Sequence, residues 1–418
     1  MHILFLSHYF PPEVNAPATR TFEHCRRWVR AGHRVTVITC APNCPTGRVF
    51  AGYKNGWRRE EWVQGIRVVR VWTYLAANKG FSKRILNYLS YMLRATLAGS
   101  AAPRFDLVVA TSPQFFCGWA GALVSWIRRR PFVLEVRDIW PDSIVAVDAM
   151  RKNWLIRLLE RLEARLYRAA GHIVTVGEDY RRNLLGKGVP AEKIAVVANG
   201  VDFDSFSRPQ RPSSIREELN SVGKFVCAYV GTVGMAHGLE VVLQAAEQAR
   251  AAGREDLMFW IVGDGARREE LQSEAQRRGL ANVVFTGLLA KERMPEVISA
   301  CDAGLVHLKG NELFTTVLPS KIFEFMALEV PIIIGVRGQA QEIVLESGAG
   351  LAMVPDDAGS LLSAIAQIQA QGRAAFCRRE YALAHYDRDR LAEKMLQVLV
   401  DHQRAPAQPV LPASAPLA

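Results

Sequence analysis

The stretch Phe225-Val226-Cys227-Ala228-Tyr229-Val230-Gly231-Thr232-Val233-Gly234-Met235-Ala236-His237-Gly238 decides the fold. Six apolar residues without a charge read as a strand buried on both faces, as in a parallel sheet. Glycines follow at once, and their lack of a side chain lets backbone approach a phosphate closely. A helical pattern over 239–252 comes next, then strand-like runs at 258–262, 283–286, 303–306 and 332–334. Such β-α alternation predicts an open parallel sheet covered by helices on both faces.

The same alternation fills the first half of the chain. Short apolar runs at 3–7, 34–39, 66–71, 107–110, 132–136 and 173–176 alternate with helical patterns such as 20–31 and 154–169. Between the halves lie the turn Asn199-Gly200-Val201-Asp202 and a segment carrying Pro209 and Pro212, read as a hinge. The sequence therefore predicts an α/β protein of two doubly wound, Rossmann-like domains, 1–204 and 205–373. Helices over 374–404 and a disordered Pro- and Ala-rich tail, 405–418, complete it.

Composition limits what the protein does. At 418 residues the chain exceeds one ordinary core, and half of it is apolar, as expected of a folded globular protein. Seven cysteines are scattered without a C-x-x-C pair, and nine histidines show no zinc spacing, so the sequence predicts a cytoplasmic location and no metal. No run is long and apolar enough to predict a membrane span. The net charge of +11 favours polyanionic partners. Basic residues gather at Arg128-Arg129-Arg130 and between Lys79 and Arg94. There Ile85, Leu89, Met92, Leu93 and Thr96 recur at helical spacing, a basic amphipathic pattern that suits either an anionic membrane surface or docking on its own domain. No aromatic surface interleaves with the charge, so nucleic acid is not expected. Trp72, Trp119, Trp126 and Trp154 read as core or interface residues.

In an open α/β domain ligands sit beyond the carboxyl ends of the strands. Four such loops in the second half carry suitable residues: Gly231-Thr232 to His237-Gly238, Gly263-Asp264-Gly265, Thr286-Gly287-Leu288, and Leu318-Pro319-Ser320-Lys321 running to Glu324. In the last, Pro319 disfavours helix before it, Ser320 suits an N-cap, and Lys321 adds a positive charge where helix amides would favour an anion. An ordinary capped helix explains the same residues.

These motifs give the chain a clear resemblance to family-4 retaining glycosyltransferases of the two-Rossmann-domain (GT-B) type, and to the branch that builds O-antigen, capsular and other bacterial surface polysaccharides. The residues that carry it are His8 to Glu13 with Asn15 to Arg20, Val136 to Asp142, Asn199 to Asp202, the Gly263 turn, and Pro319-Ser320-Lys321 with Glu324. The resemblance implies two domains facing each other across a cleft, with the terminal helix crossing back to the first. It implies a nucleotide-sugar, a UDP-sugar of N-acetylhexosamine type, held by Gly231, Thr232, His237, Gly263, Asp264, Thr286, Gly287, Leu288, Ser320, Lys321 and Glu324, with Glu324 on the ribose. It places the acceptor on Pro12, Glu13, Asn15, Arg20 and Arg137, with Lys321, Asp138 and Asp142 as catalytic candidates. The acceptor would be a lipid-linked (undecaprenyl-diphosphate) saccharide, the enzyme a metal-independent hexosyltransferase without a cofactor, and its place the inner face of the cytoplasmic membrane.

Two features depart from the family pattern. The arginine and lysine that many members carry in the glycine loop are replaced by Thr232 and His237, which leaves Lys321 as the expected charge on the leaving diphosphate, with His237 assisting. The first glutamate of an E-x7-E motif is replaced by Thr316. Local roles also fit some candidates: a salt bridge for Glu13 and Arg20, and a cap and structural pair for Asp138 and Asp142. A UDP-sugar 2-epimerase of the same architecture and a non-catalytic nucleotide-sugar or polysaccharide-binding protein are the competing readings.

Overall fold

The computed structural model describes residues 1–44, 46–75, 81–143, 153–207 and 214–404. Lys79, Pro209, Pro212 and the expected tail over 405–418 lie outside them. The chain forms two compact units, one of Met1–Ala198 with the segment from Asp389 onward, the other Asn199–Arg388. The division falls before Asn199 rather than after residue 204, because Val201 hydrogen-bonds through its N–H to the carbonyl of Tyr386 (3.0 Å) and is tied to the second unit. For the same reason the helix Arg379–Tyr386 stays with that unit, and the return to the first begins only at Asp389.

In the first unit the strands are β1 (His2–Leu6), β2 (Arg34–Cys40), β3 (Arg58–Val63), β4 (Ile66–Val71), β5 (Leu107–Thr111), β6 (Phe132–Val136), β7 (His172–Thr175) and β8 (Ile194–Val196). Their order is β3-β4-β2-β1-β5-β6-β7-β8, parallel except for the β3–β4 hairpin. The hairpin was not legible as a strand pair because β3 is an exposed edge with the charged run Arg58-Arg59-Glu60-Glu61. Its turn, Gln64-Gly65, has φ of 49° and 81°, the positive pair that a tight two-residue hairpin requires.

The second unit holds β9 (Phe225–Val230), β10 (Leu257–Val262), β11 (Val283–Gly287), β12 (Ala303–His307), β13 (Ile332–Gly335) and β14 (Gly350–Ala352) in the order β11-β10-β9-β12-β13-β14, all parallel. Counted within each unit, parallel strands run 3-2-1-4-5-6-7 in the first and 3-2-1-4-5-6 in the second, which places the reversal of strand order between β1 and β5 and between β9 and β12. Each reversal opens a crevice at the carboxyl ends of the strands.

Sheet and helices bury separate cores. In the first unit Ile3, Phe5, Val37 and Val109 pack with Trp28 and with Leu391, Met395 and Leu399 of the last helix, Arg388–His402. Trp28 donates its indole N–H to the carbonyl of Ala392 (2.9 Å), and Arg27 pairs with Asp389. In the second unit Tyr229, Phe259 and Ile261 pack under Val241, Val242, Leu361 and Ile365.

The basic amphipathic segment is a helix, Phe81–Ser100, but its buried stripe differs from the one its pattern suggests. Asn87, Tyr88, Tyr91 and Ala95 face the protein, with the Tyr91 hydroxyl donating to the carbonyl of Ile38 (2.8 Å). Ile85, Leu89, Met92 and Thr96 are half-buried, and Leu93 is exposed. No helix among the described residues is long and apolar enough to cross a membrane.

Candidate functional site

The loops after β9, β10 and β11 are stitched into one ledge. The Gly231 N–H donates to the carbonyl of Val262 (2.8 Å), Gly263 to that of Gly287 (3.0 Å) and Val233 to that of Asp264 (3.0 Å). A Cβ on Gly263 would lie 1.9 Å from the Gly231 carbonyl oxygen, so glycine is required there by the neighbouring loop. The Asp264 carboxylate accepts from the Gly265 N–H (2.7 Å) and lies 3.1 Å from Arg268 Nε. Thr286 turns its hydroxyl onto the Gly287 carbonyl (2.9 Å), and Leu288 is exposed. Gly263, Asp264, Thr286 and Gly287 thus shape the ledge through packing and local bonds.

Lys321 projects from the start of the helix Lys321–Ala327, which follows β12, onto this ledge. Its ammonium sits 3.7 Å from the centre of the Tyr229 ring, a cation–π contact. A Cβ on Gly231 would come within 3.0 Å of Nζ, so the absent side chain is what admits the lysine. The Tyr229 hydroxyl is held by donation to the carbonyl of Thr232 (2.7 Å). Burial pushes the Lys321 ammonium down to about 7, opposed by the Glu324 carboxylate. Burial likewise raises Glu324, while Arg388, Lys321 and Lys291 favour its charged form. Neither side chain makes a hydrogen bond or ion pair among the described residues.

Two expectations need correction here. Ser320 lies in helical conformation and makes no capping bond, and the helix it precedes, Lys321–Ala327, has only seven residues. The feature presented to an anion is therefore a lysine rather than a capped helix terminus. His237 does not supply a second charge. Burial, then repulsion from Lys321, lowers its pKa to about 3, and Nδ1 accepts from the Gly234 N–H (3.3 Å), leaving a neutral ring protonated on Nε2.

Neighbours invisible in the sequence hold this arrangement. Asn199 donates from its side-chain amide to the carbonyl of Leu318 (2.8 Å), fixing the loop that leads into Lys321. Arg388 donates to the carbonyl of Gly200 (3.0 Å), and Tyr386 stacks on Phe323 with ring centres 4.1 Å apart. His307 donates from Nδ1 to the carbonyl of His237 (2.7 Å) and accepts at Nε2 from the Asp356 N–H (2.9 Å), linking the loops after β9 and β14. Thr316, in place of the family glutamate, bonds its hydroxyl to the carbonyl of Leu313 (2.8 Å).

The expected acceptor residues of the first unit behave differently. Glu13 is buried and its carboxylate accepts from the N–H groups of Asn43 (2.9 Å), Cys44 (2.8 Å) and Phe10 (3.3 Å). Asn15 caps the helix Ala16–Arg30 through the Ala18 N–H (2.9 Å). Arg20 is buried against Glu135 (2.8 Å) and donates to the carbonyls of Ala198 (2.6 Å) and Val197 (2.8 Å). Asp142 pairs with Lys187 (2.9 Å), which also holds Glu163. The polar atoms of Glu13, Asn15 and Arg20, expected to bind acceptor, and of Asp142, a catalytic candidate, therefore all have partners within the fold. Pro12 stays exposed, while Arg137 is half-buried with Nη1 3.5 Å from the carbonyl of Pro17. Asp138 stands apart: burial raises its carboxyl to about 6, against hydrogen bonds from Ser143, Ile139 and Trp140 that favour the charged form. No group of three or more His, Cys, Asp or Glu able to hold a metal occurs among the described residues.

Comparison with known proteins accounts for both units. Residues 15–200 match the glycosyl transferase 4-like domain and residues 224–371 match the glycosyl transferases group 1. WcaI of Escherichia coli K12, a glycosyl transferase named for colanic acid biosynthesis, is 25% identical over 95% of this chain and 99% of its own. O-antigen chain mannosyltransferase C of Escherichia coli is 28% identical over 54% of this chain and 60% of its own. Among solved structures, Anabaena Alr3699/HepE in complex with UDP-glucose has a TM-score of 0.71 at 18% identity, covering 96% of this chain and all (100%) of its own, a likeness of fold.

Proposed function

With a first domain of the glycosyl transferase 4-like type and a second of the glycosyl transferases group 1, the chain is a two-domain glycosyltransferase, and from that premise we propose that it moves a sugar from a UDP-sugar to a lipid-linked saccharide in bacterial surface polysaccharide synthesis. The observation that carries the donor side is the Lys321 ammonium, unpaired, seated between Gly231 and the Tyr229 ring beside the reversal of strand order. A diphosphate there would restore full protonation to the lysine and would be stabilised as its negative charge grows on departure of the sugar. Glu324, without a hydrogen bond of its own, suits the paired hydroxyls of a ribose. Because Lys321 provides this charge from the protein, we read the transfer as metal-independent.

Transfer with retention fits a leaving phosphate oxygen that takes the proton of the acceptor hydroxyl on the face from which it departs. Asp138, whose raised pKa keeps part of it protonated near neutrality, is the candidate for orienting that hydroxyl. The transferred sugar is read as an N-acetylhexosamine.

A donor screen by thermal shift tests the reading, since a ligand at about a hundred times its Kd stabilises the folded state by about 2.7 kcal/mol. UDP-N-acetylhexosamines should raise Tm, GDP-mannose should not, and label should pass into a lipid fraction. Stabilisation by GDP-mannose alone would overturn the donor assignment, and epimerisation of free UDP-sugar would replace transfer with isomerisation.

A further inference from the structure

The outer edge of the first sheet is β3, which pairs with β4 on one side and with no other strand among the described residues. Hairpin geometry fixes which of its backbone groups are left over. Across a two-residue turn the flanking residues, Val63 and Ile66, exchange backbone hydrogen bonds, and the exchange recurs at every second residue. Arg59 and Glu61 therefore bond to β4, while Arg58, Glu60 and Trp62 turn their N–H and C=O groups outward. The strand contains neither proline nor glycine, and its residues are exposed or half-buried throughout. At its two ends stand Trp57 and Trp62, 70% and 72% exposed. Trp57 is held in place by Arg94, whose guanidinium lies 3.7 Å from the ring centre and donates to the Trp57 carbonyl (3.2 Å).

An open edge invites another strand, and proteins ordinarily guard one with charges that repel an incoming copy. Here the order of the charges attracts one. A symmetric antiparallel pair keeps each side chain on its own face of the joined sheet, so its twofold axis must pass through a residue. With the axis at Glu60, the segment Trp57-Arg58-Arg59-Glu60-Glu61-Trp62-Val63 sets Arg59 against Glu61 of a second copy, Arg58 against Trp62 and Trp57 against Val63. These contacts join cation to anion, cation to aromatic ring and apolar group to apolar group, all of which stabilise cross-strand pairs. The exception is Glu60, which meets its own copy. Its carboxylate is already bound by Arg58 (2.5 Å) and Arg67 (2.7 Å), so each of the two acids arrives with its charge offset. An axis one residue earlier would set Arg59 on Arg59 and Trp57 on Glu61, and one residue later Glu61 on Glu61 and Glu60 on Trp62.

We propose that the protein forms a twofold dimer in which β3 pairs antiparallel with β3 of a second copy in the register centred on Glu60, joining the two eight-stranded sheets into one. The contact uses the first unit alone and holds whatever sugar or acceptor the enzyme uses.

Sedimentation equilibrium of the full-length protein tests it, and the protein should pass from monomer to dimer as concentration rises. Glu60→Pro removes an outward N–H without touching the bonds to β4 and should weaken the dimer about tenfold or more. Glu60→Ala loses the same carboxylate but keeps the N–H, and by removing the one like-charged contact should tighten the dimer by up to about fivefold. Arg59→Glu faces Glu61 of the second copy with like charge and should weaken association about fivefold or more. Register is read by cross-linking: on oxidation Glu60→Cys should bond to its own copy, because facing Cα atoms in a hydrogen-bonded pair lie about 5.5 Å apart, within disulfide reach, and Arg58→Cys should not. A dimer indifferent to both Glu60→Pro and Arg59→Glu, or cross-linking of Arg58→Cys in preference to Glu60→Cys, would overturn the proposal. So would a monomer at every concentration, which would leave the edge to a strand of a different protein.

Discussion

The segments beyond β1 and β6 and those beyond β9 and β12 lie at the carboxyl ends of strands in two similarly ordered sheets, yet they treat charge in opposite ways. In the first unit Glu13, Arg20 and Asp142 all have partners, and Arg20–Glu135 is fully enclosed. In the second, Lys321 and Glu324 are held against protein and left without a hydrogen bond or ion pair among the described residues. A buried charge that its own fold satisfies is part of the architecture. One left unsatisfied costs stability and is retained where a ligand completes it.

Arg20→Ala should have the largest effect. It strands the Glu135 carboxylate in the interior and should destabilise the fold by about 3–5 kcal/mol, read as a fall in denaturation midpoint. If Arg20 instead gripped acceptor, stability would hold and activity alone would fall, and the contrast between the units would break. Lys321→Ala should do the reverse, lowering transfer by ~10²–10³-fold while Tm stays level or rises. A Tm loss as large as that of Arg20→Ala would mean the lysine serves the fold.

Titration sharpens the same contrast. Lys321 titrates near 7 when folded against 10.5 for an unburied lysine, so between these values the unfolded state holds the extra proton and stability rises with pH. Lys321→Met should therefore raise Tm most at about pH 6 and progressively less towards alkaline pH. Donor affinity of the native protein should fall as pH rises through about 7, because the diphosphate needs the ammonium. His237→Gln should make the smallest change, less than about threefold in donor affinity, since the ring is neutral throughout the working range. A loss comparable with that of Lys321→Ala would restore His237 as a charge donor.

Much of the fold was legible because parallel strands buried on both faces leave uninterrupted apolar runs, as at Phe225–Val230 and Leu107–Thr111. The edge strand Arg58–Val63 was not, because an exposed edge carries charge where a central strand carries valine. The glycine loops and Lys321 stood out in the sequence, but Tyr229 did not. It sits inside an apolar strand where a tyrosine reads as core, and only its register in β9 places its ring under the lysine. Asn199 looked like a hinge residue, and its bond to Leu318 spans more than a hundred positions that no local pattern connects.

The sequence by itself determined the two doubly wound domains, the glycine loops at the strand ends and the excess of positive charge, because periodicity and composition are local and survive without coordinates. Only the tertiary structure decided which charges are available. Glu13, Arg20 and Asp142 are as polar in the sequence as Lys321 and Glu324, and what separates them is whether folding brings up a partner. That depends on neighbours remote in the chain: Asn43 and Cys44 for Glu13, Glu135 for Arg20, Lys187 for Asp142. For Lys321 the neighbours are the face of an aromatic ring and a bare glycine, which shelter a cation without neutralising it.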